Sequence, residues 1–115
     1  IKDYSVDITV LGNDLFVNSD KGTSIAIVVN ELITNAVKHA FKSKAEGKII
    51  VNINPGKEYS SITVEDNGSG FDVNNIKKSS LGLSLIELTV KEKLNGKIQI
   101  LSNENGSKIN FDFEN

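Results

Sequence analysis

From Tyr4 to Leu11 the chain alternates, with Val6, Ile8 and Val10 on one side and Ser5, Asp7 and Thr9 on the other. That is the period of a half-buried strand. "GND" (12–14) reads as a turn, and Leu15–Asn18 reads as a short partner strand. Ser19 or Asp20 is placed to cap a helix running to about Lys42. "GKIIVNIN" (47–54), the turn "NPGK" and "EYSSITVED" (58–66) predict a β-hairpin. Residues 67–80, "NGSGFDVNNIKKSS", have no clean periodicity and predict a long loop. Leu81–Leu94 follows as a second helix, with Leu81, Leu85, Leu88 and either Ile86 or Val90 near one face, ended by "NG" (95–96). "KIQILS" and "SKINFDF" then pair across "NENG" as a second hairpin.

Periodicity also divides the first helix. At about 100° per residue, Glu31, Asn35, Lys38 and Lys42 share one arc, while Ile25, Val29, Leu32, Ile33, Ala36 and Ala40 lie opposite. A plain solvated face would account for charged residues there. It does not account for Asn35, which costs about 0.6 kcal/mol relative to Ala in a helix interior. Nor does Glu31 have a Lys at i+4. Glu and Asn four apart can offer two oxygens to a hard cation such as Mg²⁺, and Lys38 can meet phosphate.

The strand end at Asp66 carries a second signal. Ile62, Val64 and Asp66 share one strand face, so the carboxylate continues an apolar row and needs a hydrogen-bond partner. "DNG" by itself is also a common hairpin turn, but no alternating strand follows it. Gly68 and Gly70 permit close ligand approach, and an Asp beside glycine backbone suits recognition of a purine amino group. Farther on, Ser79 or Ser80 can cap the second helix, Gly82 lies near its start, and a helix N-terminus favours phosphate.

Composition narrows the classes. At 115 residues, 38% hydrophobic and 24% charged, the chain suits one globular domain, residues 1–115. A net charge of −2 without a Lys/Arg block gives no electrostatic support to a nucleic-acid partner. No apolar run approaches a membrane span, and no contact with a membrane is expected. The absence of Cys removes disulfides and thiolate metal sites, and a reducing cytosol is compatible with it. One His leaves no multi-histidine metal site. Met is absent even at position 1, which reads as a piece of a longer polypeptide, although removal of a start Met would look the same.

The order of polar helix, strand–Asp–Gly loop and glycine-bearing helix start resembles the ATP-binding catalytic domain of sensor histidine kinases. These belong to the GHKL group, with gyrase, MutL and heat-shock chaperone ATPases. "NELITNAVKHAF" looks like its N box, "DNGSGF" its first glycine box and "SLGLSLIE" its second. "NGSKINFDF" is similar to its closing glycine-Thr-strand segment, with Ser107 where Thr is usual. The short loop and the "NAVKHAF" wording look most like the second histidine-kinase-A class, related to the HWE kinases, without their Trp motif and without a phenylalanine-rich F box.

The resemblance implies an α+β fold, a two-layer α/β sandwich with a mixed, mostly antiparallel sheet and helices on one face. It implies Mg²⁺ and ATP, with Asn35 the metal ligand and Glu31 a base or metal-organising group. Lys38 would lie near the phosphates and His39 beside the nucleotide. Asp66 would accept from the adenine amino group, Gly68 and Gly70 would shape the base pocket, Gly82 and Leu83 would meet the phosphates, and Ser107 would serve the nucleotide site. The implied partners are a histidine-bearing dimerisation domain of the same protein and a downstream response regulator, with the domain in the cytoplasm. An anti-sigma-type serine kinase shares the fold and N box, and a nucleotide-sensing module without transfer activity is a further reading. A gyrase- or MutL-like ATPase would need another domain to complete its site.

Overall fold

The computed structural model describes residues 5–40, 46–68 and 83–115. Five strands, β1 (Ser5–Gly12), β2 (Glu46–Asn54), β3 (Tyr59–Asp66), β4 (Ile98–Asn103) and β5 (Gly106–Glu114), form one sheet in the order β1-β2-β3-β5-β4. β1 pairs with β2 in parallel, Ile8 opposite Ile49, and every other pairing is antiparallel. Both predicted hairpins are present. The mixed, mostly antiparallel sheet is as expected.

Two helices, α1 (Ser19–Asn35) and α2 (Leu83–Glu92), belong to the second layer. Ile25, Val28, Leu32 and Ala36 from the first helical segment join Leu83, Ile86, Val90 and Leu94 over one face of the sheet. That face contributes Ile49, Val51, Ile62, Val64, Ile109, Phe111 and Phe113, and the rings of Phe111 and Phe113 lie 6.0 Å apart. The other face is polar and ladder-like: Thr63 donates to Asn110 (2.8 Å), and Asp7 stands opposite Lys48 and Glu65 opposite Lys108.

Four local expectations are corrected. Residues 13–18 form no strand. They carry the chain from the sheet to the helix layer, with Leu15 and Val17 against the core. The cap of α1 is Asn18, whose Oδ1 accepts from the Lys21 amide at 2.8 Å, and neither Ser19 nor Asp20. The α-helix ends at Asn35 and continues as a π-helical turn, Ala36–Ala40, with residues 41 and 42 outside the described set. In α2, Leu85 and Leu88 are 56% exposed, and the buried positions are Leu83, Ile86 and Val90. "LGLSLIELTV" offers apolar residues all round the helix, so the sheet beneath it, not the pattern, selects the face. Asn95, at φ 51°, ends this helix as "NG" predicts, and the Gly96 amide returns to the Val90 carbonyl (2.9 Å).

Candidate functional site

Asp66 is the last residue of β3, on the core side of the sheet between Ile49 of β2 and Ser107 of β5. It is 8% exposed. A carboxylate here needs donors, and the chain supplies them from both directions. Oδ1 accepts from the amides of Gly68 (2.9 Å) and Ser107 (3.3 Å), and Oδ2 accepts from the Ser107 hydroxyl. Each carboxylate oxygen has two acceptor positions, so Oδ2 keeps one for an incoming N–H donor. Asp66, Gly68 and Ser107, separate in sequence, thus form one constellation.

Two residues that sequence reasoning missed hold it. Asn67 extends the β2–β3 ladder: its amide donates to the Lys48 carbonyl (3.2 Å), and its Oδ1 accepts from the Lys48 amide (2.8 Å). The Asp66 main chain therefore cannot tilt freely out of the sheet. Gly106 has φ 137°, and a Cβ built on it would lie 2.1 Å from the Asp66 carbonyl oxygen. Only glycine lets β5 begin this close to the end of β3. Both residues lie in Asn-Gly dipeptides that read as ordinary turns, which hides their part in the site.

One chain connection limits how far the end of the first helical segment can lie from Asp66. Five residues join the π-helical turn to β2, whose beginning flanks Asp66, and five residues span at most about 18 Å. The far end of α2 is fixed at the opposite pole, where the Glu114 amide donates to the Leu94 carbonyl (3.0 Å) and the Lys97 amide to Asp112 Oδ1 (2.7 Å). Leu83 is at the other end of this ten-residue helix, about 15 Å long, with its side chain in the core.

Glu31 and Asn35 are half-buried, one helical turn apart on the flank of α1, and Lys38 is exposed. Lys38 and His39 fall in the π-helical turn, where i→i+5 bonding alters the 100° phase that put Lys38 in line with Glu31 and Asn35. The Leu83 side chain is buried in the core, so only its main chain is available to a ligand. Gly70 and Gly82 lie outside the described residues, as does all of the expected 67–80 loop after Gly68. Surface hollows of about 380 Å³ (Tyr59, Lys91, Asn95, Gly96, Lys97 and Asp112) and about 510 Å³ (at the start of α1, with Lys93) contain none of the candidate residues. No group of three His, Cys, Asp or Glu side chains able to hold a metal occurs among the described residues. Glu31 and Asn35 nevertheless suit Mg²⁺, which takes one or two protein oxygens and completes its shell with water and substrate phosphate.

This arrangement is that of a nucleotide-binding α/β sandwich. The chain belongs to the family described as histidine kinase-, DNA gyrase B-, and HSP90-like ATPase, whose model matches residues 20–115. It is 30% identical over 99 residues to the sensor histidine kinase PdtaS of Mycolicibacterium smegmatis, a match covering 84% of this chain and 20% of PdtaS. Over 54 residues, 47% of this chain and 34% of the relative, it is 41% identical to the serine-protein kinase RsbW of Listeria innocua. The chain thus spans about a fifth of the length of PdtaS and a third of RsbW. Its fold matches the histidine kinase domain of the Erythrobacter litoralis EL346 blue-light activated histidine kinase with a TM-score of 0.83, at 23% identity over 94% of this chain and 54% of that one.

Proposed function

We propose that residues 1–115 are the ATP-binding catalytic domain of a sensor histidine kinase, which binds Mg·ATP and donates the γ-phosphoryl group to a histidine on a separate dimerisation domain. The observation that carries this reading is Asp66, buried at a strand end with one acceptor position open. Family membership and the match to PdtaS over most of the chain support the choice of kinase. The longer protein would pass the phosphoryl group on to a response regulator. Among the described residues no helix is long and apolar enough to cross a membrane, and we place this domain in the cytoplasm.

In this reading Asp66 accepts from the adenine amino group, and Ser107 holds the carboxylate at the required angle. Gly68 and Gly70 leave room for the base. Asn35 ligates Mg²⁺, and Glu31 organises the metal or takes a proton from the attacking group. Lys38 faces the phosphates and His39 lies beside the nucleotide, while Gly82 and the amide of Leu83 meet the phosphates at the start of α2. The metal, when bound, neutralises charge on the phosphates. What the chain contributes is positioning and charge stabilisation, which phosphoryl transfer chiefly requires. The imidazole nitrogen of the acceptor forms the new P–N bond as the bond from phosphorus to the ADP oxygen breaks.

The 41% identity to RsbW favours a second reading, a kinase that phosphorylates serine. Transfer from γ-labelled ATP to candidate acceptor domains, followed by acid treatment, separates the two. Acid-labile label on a histidine-bearing domain supports the proposal, and acid-stable label on serine replaces it with the second reading. ATP binding with no transfer to any acceptor reduces the domain to a nucleotide sensor.

A further inference from the structure

Strand β1 is an edge with few of the features that keep edges apart. Among the described residues it has β2 on one side and no strand on the other. Its eight residues, Ser5–Gly12, include neither Lys nor Pro, the residues that commonly blunt such edges. Val6, Ile8 and Val10 lie on the core side of the sheet, in register with Gly47, Ile49 and Val51. Yet Ile8 is 49% and Val10 62% exposed, while Ile49 beside them is fully buried. Just past the end of β1, the Asn13 amide donates to the Ile53 carbonyl (3.3 Å). Odd-numbered residues of β1 therefore turn their main chain toward β2, and Val6, Ile8 and Val10 turn N–H and C=O groups to the open edge.

We infer that this edge pairs with β1 of a second copy of the chain, antiparallel about a two-fold axis at Ile8, joining two five-stranded sheets into one. The sequence is self-complementary in that register. Ile8 meets Ile8, Val6 meets Val10, and on the other face Asp7 meets Thr9 and Ser5 meets Leu11. Shifting the axis to Asp7 sets the two Asp7 carboxylates against each other. Shifting it to Thr9 sets Val6 against Gly12, whose φ of 107° ends the extended strand, and Asp7 against Leu11. Charge and backbone thus select one register and one partner.

The pairing uses main-chain groups of the β1 edge, two strands away from Asp66 of β3, so the test reads association and nucleotide binding separately. Sedimentation equilibrium of the 115-residue chain should give twice the 12.5 kDa chain mass as concentration rises. Ile8→Lys should remain at the single mass, with unchanged ATP affinity and, at concentrations where the parent chain is also a monomer, an unchanged thermal melt. Leu101→Lys, on the opposite edge strand β4, should still associate. The chain has no Cys, so Ile8→Cys should form a disulfide-linked dimer with oxidised glutathione. Ile8 and its mate would be a hydrogen-bonded antiparallel pair with Cα atoms about 5.5 Å apart, within disulfide reach. Val10→Cys, displaced four residues from its own symmetry mate, should not cross-link. A single mass at every concentration would overturn the inference, as would equal cross-linking through Val10→Cys or dissociation by Leu101→Lys alone.

Discussion

Ser107 closes on Asp66 with both its hydroxyl and its amide, one to each carboxylate oxygen, across the β3–β5 pair. A hydroxyl bond to a buried carboxylate of this kind is worth about 1.5–3 kcal/mol. Ser107→Ala should lower unfolding free energy by about that amount and weaken ATP binding, while Ser107→Thr, which keeps the hydroxyl, should retain both. Denaturant melts and calorimetry check this, and unchanged affinity in the Ala variant would detach Ser107 from the site.

Asp66→Asn tests the adenine contact. An amide in that position presents two N–H donors among groups that donate to Asp66, namely Gly68 and Ser107 and, in the proposed site, the adenine amino group. ATP binding should weaken by about 1–3 kcal/mol, roughly five- to 150-fold in affinity, with some loss of stability without nucleotide. Calorimetry finding wild-type affinity in a folded variant would sink the assignment.

Asn35→Ala addresses the metal. Asn35 is half-buried at the end of α1 and has an interaction to lose there, and the gain of about 0.6 kcal/mol that Ala brings to a helix offsets part of that loss, so the melt should fall only modestly. The help that Mg²⁺ gives to ATP binding should be largely lost, as titrations with and without Mg²⁺ will report. Lost stability with normal Mg·ATP handling would assign Asn35 a structural part only.

Gly106→Ala puts a Cβ 2.1 Å from the Asp66 carbonyl oxygen at a φ of 137°. Main chain cannot yield as a flexible side chain does. We expect a destabilisation of at least about 1–3 kcal/mol in denaturant melts, with nucleotide affinity reduced in whatever fraction folds. A neutral substitution would mean that the end of β3 is free to move.

His39 is the only histidine, and it lies in the π-helical turn four residues beyond Asn35. A residue on the donor's own site cannot readily align with the γ-phosphorus. The chain alone should therefore take no label from γ-labelled ATP, and adding a histidine-bearing dimerisation segment should restore labelling on that segment. Acid-labile label on the chain itself, abolished by His39→Gln, would make His39 an acceptor.

Much of this was legible in the linear pattern. Period-two alternation marked β1, turn residues between strand-like runs marked the β2–β3 and β4–β5 hairpins, the 3.6-residue period divided the faces of α1, and the row Ile62–Val64–Asp66 identified a buried carboxylate, because each depends on neighbours close in sequence. What satisfies that carboxylate was not legible. Ser107 lies 41 residues away, and only the pairing of β3 with β5 makes it a neighbour. The buried face of α2 was likewise decided by the sheet it packs against. Local sequence restricts backbone choices to a few of similar energy, and contacts between distant segments select among them.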